Sequence, residues 1–269
     1  MEILIAGQGL AGSLLFCHLH QAGASVTVAD NYPPFTSTSV AAGILIPVTG
    51  RRMVKSYKAD MVLPHAFAFY SKLEALLQTQ FFHHKPILEL FSSGKNRNDW
   101  FARSGDADLE GYTGDILTSG QIPDHIKNNH GGILLHRSGY LKTNVFLEAV
   151  RQHISTNATL IRERVLPETI TPEKNGVLWK GKKYDKVIFC EGYEAVSNPF
   201  FKHLPFVPAK GEIIDFFAED LCEDYIINNG NFILPVGNHH FKAGSTYSWT
   251  ELNTTPTPSA LEELTKNLT

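Results

Sequence analysis

The sequence predicts an α/β protein in which a parallel sheet is interrupted by mostly antiparallel α+β insertions. Three observations carry that expectation. The opening EILIA is a short apolar run that gives way to glycines and helical periodicity, and a second apolar run, VTVA, follows. A strand, a tight turn, a helix and a second strand read this way. Residues 139–200 return to the same style, with GYLKTNVFLEAVRQHI helical and LIRERVL and YDKVIF strand-like. By contrast, 85–136 and 205–247 break into short apolar pieces such as PILELF, GGILLH and GEIIDFF, with Gly and Asn at the turns, which is antiparallel chemistry.

At the first turn, Gly7, Gly9 and Gly12 have the spacing G-x-G-x-x-G. Gly7 permits the tight turn, Gly9 lets backbone approach a pyrophosphate, and Gly12 allows helix and strand to pack closely. The helix that follows offers unpaired N–H groups and partial positive charge to phosphates. Asp30 lies 18 residues after Gly12, where an acid accepts hydrogen bonds from ribose hydroxyls. An acid there disfavours a 2′-phosphate, so NADP is not expected. The fold class is thus a Rossmann-like FAD/NAD(P)-binding domain with an inserted, mostly antiparallel α+β domain. The motif alone does not separate NAD from FAD.

Further along, NYPPFTSTS reads as a loop, and PHAFAFYSKLEALL, ending at Leu77, carries helical periodicity. The nucleotide-binding domain is expected over 1–84 and 139–200, and the inserted domain, which the resemblance given below implies is the substrate or cap domain, over 85–138 and 201–255. Residues 256–269 start a helix, with Ser259 and Glu262 spaced as a capping box. The chain ends within that helix, as expected of a truncated protein.

A net charge of −3 on 269 residues gives no reason to expect nucleic acid as a partner. Cys17, Cys190 and Cys222 are odd in number and widely spaced, which argues against a disulfide framework and for a reducing cytoplasm. No signal peptide or membrane span is legible. The pairs His83–His84, His239–His240 and His18/His20 are poorly spaced for chelation, so no metal is expected. DADLEGYTGDIL begins like a calcium loop but has Leu117 at the twelfth position, where a bidentate Glu is needed. There is no G-x-S-x-G elbow and no cysteine with a legible partner, so covalent catalysis has no support.

Past Asp30, TSTSVAAGILIP resembles the second cofactor segment of the flavin-dependent D-amino-acid oxidase, glycine oxidase and sarcosine oxidase family. GGILLHRSGYLKTNVFLEAV, YDKVIFCEGYEA and PAKGEIIDF with NFILPVGNHHFKAGSTY resemble later segments of that family, in the same order. The resemblance implies bound FAD, a discontinuous substrate domain over the flavin ring, and oxidation of a C–N bond of an amine or amino acid by hydride transfer to the flavin. It implies that Gly7, Gly9, Gly12 and Asp30 hold the ADP half. Thr38, Ser39, Ala42 and Gly43 line the pyrophosphate and ring, and Ile44 faces the flavin. Val165 meets the adenine, and Cys190, Glu191 and Gly192 end the third cofactor strand.

Three departures stand out. Phe16 replaces a small helix residue, and Glu191 adds a charge beside the cofactor. The family's closing strand and second Gly-rich helix start, with the arginine often used for the substrate carboxylate, are not in this sequence. No general base stands out. Candidate substrate-pocket residues are Arg51 and Lys55 of TGRRMVKSYK, whose charges suit an anion, and Lys210 and Tyr247 of the presumed substrate strands. The alternatives are an NAD-dependent dehydrogenase, a non-catalytic flavoprotein subunit or binding module, and an oxidase-like domain acting on a tRNA base side chain.

Overall fold

The computed structural model describes residues 1–49 and 53–268. Two compact units emerge: Met1–Ala41 with Leu77–Phe81 and Thr143–Ala209, and Ala42–Leu76 with Phe82–Lys142 and Lys210–Thr269. These contact-defined boundaries differ from the sequence ranges, chiefly because 42–76 goes with the second unit.

The first unit is built on a four-stranded parallel sheet. Strand β1 (Glu2–Ala6) leads through helix α1 (Leu10–Gln21) to strand β2 (Ser25–Ala29). The order across the sheet is Thr159–Ile161, β2, β1, Lys186–Phe189. Ile3, Leu4, Ile5 and Ala6 are all buried, as expected of a parallel strand covered on both faces. On one face Leu4 and Ala6 pack against Val165, Ile170, Trp179 and Tyr184. Trp179 and Tyr184 belong to a three-stranded antiparallel meander, Thr171–Glu173, Gly176–Trp179 and Lys182–Tyr184. Helix Thr143–Asn157 buries Phe146, Leu147, Val150 and Ile154 at helical spacing. Phe16 of α1 is fully buried, stacked on His20 and edge-on to His153 of that helix. The large side chain is thus accommodated by aromatic packing.

The second unit is organised by a seven-stranded sheet. Its order is Ile213–Phe217, His240–Gly244, Phe232–Gly237, Ile226–Asn228, Ile87–Leu90, Gly132–Leu135 and Thr113–Leu117. All neighbours are antiparallel except Ile226–Asn228 with Ile87–Leu90. The alternating segments at 85–136 and 205–247 therefore form one mixed sheet. One face carries Ile87, Ile133, Leu135, Ile226 and Leu234, covered by Ala59, Leu63, Trp100, Leu109 and Tyr112. The opposite face carries Leu88, Leu90 and Ile227. A second sheet sets Gly139–Leu141 between Ile44–Leu45 and Phe82–His84.

Several local expectations need correction. The helix expected at 63–77 begins at Ala59 and holds Pro64 as its sixth residue, so the N–H that would bond the Asp60 carbonyl is missing there. NYPPFTSTS is not wholly loop, because Ser37–Val40 forms a helical turn with a Thr36–Ser39 capping box. GYLKTNVFLEAVRQHI is a strand followed by a helix. The last helix, Pro258–Leu268, is capped by Thr257, whose Oγ1 accepts from the Ala260 N–H at 3.3 Å. Ser259 instead donates its hydroxyl to that oxygen, so the expected box at Ser259 and Glu262 starts two residues too late. Among the described residues, no helix is long and apolar enough to cross a membrane.

Candidate cofactor site

The site grows from the bend between β1 and α1. Gly7 has φ +104°, and a Cβ there would lie 2.5 Å from the Cys190 carbonyl oxygen. A Cβ on Gly12 would lie 1.9 Å from the Gly7 carbonyl oxygen and 3.3 Å from Cys190 Cβ. Both contacts fall inside van der Waals limits, so only glycine lets the loop, the helix and the end of Lys186–Phe189 close together. Gly9 caps α1 without a side chain, and the helix begins as Ser13 N–H donates to its carbonyl at 2.9 Å. Main-chain amides of a twelve-residue helix are thus presented at its positive end.

Asp30 turns toward this bend. Its Oδ2 accepts the Gln8 N–H at 2.6 Å and its Oδ1 accepts the Tyr32 N–H at 2.5 Å. Each carboxylate oxygen has two lone pairs, so both retain capacity for a sugar hydroxyl. Thr38 reaches the same place: its Oγ1 accepts the Leu10 N–H at 3.1 Å and lies 3.3 Å from where a Gly9 Cβ would be. Cys190 N–H donates to the Ala6 carbonyl at 2.7 Å, extending the parallel pairing to the glycine bend. Gly7, Gly9, Gly12, Asp30, Thr38 and Cys190 are therefore brought together. These residues fit a dinucleotide diphosphate: glycines spare the space, a helix start supplies amides, and an acid is held beside them.

A family model described as DAO, FAD dependent oxidoreductase, matches residues 2–269. The chain belongs to the FAD dependent oxidoreductase family. FAD is the cofactor of that family, which decides against the NAD alternative left open by the glycine motif.

Solved structures share the fold. Glycine oxidase from Geobacillus kaustophilus is 17% identical with a TM-score of 0.82, and the match covers 98% of this chain and 76% of that one. Iminodiacetate oxidase from Chelativorans sp. BNC1 is 18% identical with a TM-score of 0.79, over 99% and 77%. L-proline dehydrogenase from P. horikoshii is 14% identical with a TM-score of 0.72, over 98% and 75%.

Other candidate residues of this FAD dependent oxidoreductase are occupied in ways the sequence did not announce. Ser39 Oγ accepts the Thr36 N–H at 2.8 Å, so it caps its own turn. Val165 is buried against Leu4, Ala6 and Ala29 of the first unit. Glu191 accepts from Asn198 Nδ2 at 2.7 Å, and Gly192 takes φ +62°. In the second unit Gly43, at φ +71°, accepts the Leu141 N–H at 2.9 Å, and Ile44 registers with Tyr140. Ala42 and Ile44 pack on the buried cluster beneath the seven-stranded sheet.

The candidate cations are committed elsewhere. Lys55 Nζ pairs with Asp60 at 2.7 Å, while Tyr112 donates its hydroxyl to the other Asp60 oxygen at 2.8 Å. Hydrogen bonding to Lys55 and then Tyr112 holds the Asp60 carboxyl below its usual range. Lys210 Nζ pairs with Glu212 at 3.2 Å, and Glu212 also accepts from the Thr257 N–H and hydroxyl. Tyr247 is exposed and stacks on Trp249. Each of these two lysines is thus paired with a carboxylate of its own unit. Arg51 lies outside the described residues.

Sequence reasoning passed over Gln8, which is buried and central. Its Nε2 donates to Ser13 Oγ at 3.1 Å and to the Leu147 carbonyl at 3.0 Å, and its Oε1 accepts from Arg151 Nε at 3.0 Å. The Arg151 guanidinium lies 4.1 Å from the centre of the Tyr32 ring. Burial raises the Tyr32 hydroxyl above its ordinary pKa, with Arg151 opposing. The available signal was a polar residue inside the glycine motif, where a side chain must fold back into the protein. Burial, and secondarily the neighbouring Glu191 charge, also raises the Cys190 thiol, so this cysteine is a packing residue at neutral pH.

Proposed function

We propose that this FAD dependent oxidoreductase oxidises a C–N bond of an amine or amino acid. The observation that carries the reading is the Asp30 carboxylate turned onto the glycine bend, within 2.6 Å of the Gln8 N–H. Gly7, Gly9, Gly12 and Asp30 hold the ADP half of FAD. Thr38, Ser39, Ala42, Gly43 and Ile44 follow the pyrophosphate toward the ring, while Val165 and Cys190 to Gly192 complete the cofactor-binding unit. The second unit takes the substrate.

FAD supplies a two-electron acceptor when bound. In the proposed reaction the C–H bond beside the nitrogen breaks and its electron pair leaves as hydride. The amine, having given hydride to that acceptor and its N–H proton to solvent, would become an imine, and water would then convert the imine to a carbonyl compound and a released amine. The protein positions the C–H bond and limits water. Support for the substrate class comes from the similar structures, which are named as a glycine oxidase, an iminodiacetate oxidase and an L-proline dehydrogenase.

The test is anaerobic mixing of the FAD-loaded protein with a panel of amines and amino acids, following flavin absorption. Bleaching by one or more members supports the reading. A loaded protein that no member bleaches would instead favour the non-catalytic flavoprotein reading.

A further inference from the structure

The carboxylate of Glu89 stands out in the second unit. Its strand, Ile87–Leu90, is an inner strand of the seven-stranded sheet. Glu89 registers with Asn228 on one side and Ile133 on the other. Side chains alternate along a strand, so Glu89 shares the face of Ile87, and Asn228 that of Ile226. Those two isoleucines belong to the buried cluster on which Ala42, Ile44, Leu45 and Ile46 pack. A carboxylate is therefore set on the same apolar face as the segment read as flanking the flavin.

Asn228 Nδ2 donates to Glu89 Oε2 at 2.5 Å. Burial raises the Glu89 carboxyl above its ordinary range, and the Asn228 bond pulls it only part of the way back. Among the described residues, no cation contributes to its charge balance. Glu89 is only partly buried, so part of the residue reaches accessible surface. Strand pairing does not require this charge. The main-chain ladder already joins the two strands, and a glutamine would accept the same amide bond. A carboxylate placed against apolar surroundings without a counter-charge is costly. That cost is offset when a cation arrives, which is how recognition sites for charged ligands are made.

We propose that Glu89, oriented by Asn228, binds a cationic group on the substrate other than the nitrogen being oxidised, so that the preferred substrates are basic amino acids or diamines. The proposal rests on the reading of the second unit as the substrate-binding part. Glu89 selects the substrate and takes no part in bond breaking.

Ornithine and norleucine test this directly, because they match in length and differ by an ammonium against a methyl group. Both enantiomers of each are titrated into the FAD-loaded protein, with the flavin absorption shift as the binding signal. Wild type is expected to bind ornithine at least about ten-fold more tightly than norleucine. Glu89→Gln keeps the acceptor for Asn228, so its melting temperature and FAD content should hold while the ornithine preference vanishes and norleucine binding stays. Equal binding of the two ligands by wild type, a preference that survives in Glu89→Gln, or no spectral response to either ligand overturns the assignment. An ornithine preference lost in the variant, with no amine bleaching the flavin, leaves Glu89 standing and removes the C–N oxidation reading. Bleaching by amines without any ornithine preference does the reverse.

Discussion

The Gln8 main-chain N–H donates to the Asp30 carboxylate at 2.6 Å, joining the glycine bend to the end of the second strand. The same residue's side chain reaches Arg151, on the helix that packs against α1. A single buried glutamine thus links the bend proposed for the diphosphate, the acid proposed for the ribose, and the helix that supports both.

Removing the acid tests the first link. Asp30→Ala should weaken FAD binding by about ten- to a hundred-fold, the loss expected for hydrogen bonds to a charged group. Quenching of flavin fluorescence during titration of the apoprotein measures it. Unchanged affinity would show that the ribose is held elsewhere.

Glycine packing gives a graded series. Gly12→Ala places a methyl 1.9 Å from a carbonyl oxygen, and no side chain can yield there. The expected cost is on the order of 3 kcal/mol or more, read from urea unfolding. Gly94→Ala meets nothing within 4 Å and should stay within about 0.5 kcal/mol of wild type.

A double-mutant cycle isolates the glutamine network. Gln8→Leu removes three side-chain hydrogen bonds, to Ser13 Oγ, the Leu147 carbonyl and Arg151 Nε, and should cost about 2–3 kcal/mol. Paired with Arg151→Met, the two losses should fall short of additive, because the Gln8–Arg151 bond at 3.0 Å is lost only once. Strict additivity would mean that this contact contributes nothing.

Alkaline pH should expose the first helix. Burial pushes the Cys17 thiol from 9.0 up to about 12. The unfolded chain therefore releases that proton first, and stability falls as pH rises from about 9 toward 12. Cys17→Ala removes this contribution, so its stability should decline less steeply over that window in chemical denaturation. Iodoacetamide should label Cys17 only on unfolding, since the thiol stays protonated and buried at neutral pH.

What the sequence determined by itself was whatever depends on neighbours along the chain. The Gly7, Gly9 and Gly12 spacing was legible because the absence of a Cβ acts on the backbone of that very turn. The apolar runs of β1 and β2 were legible because a parallel strand buried on both faces has few polar positions. Alternation foretold the antiparallel segments, yet not that they join into one seven-stranded sheet, since strand order is set by pairing between distant runs. The tertiary structure alone decided which polar groups meet. Gln8 lies 143 positions from Arg151, and Glu89 lies 139 from Asn228. Lys55 and Lys210 looked like free cations in sequence, and folding gave each a carboxylate. The physical reason is one of range: steric freedom and periodicity act within a few residues, whereas a hydrogen bond or ion pair is specified only once the sheet register has brought its two ends together.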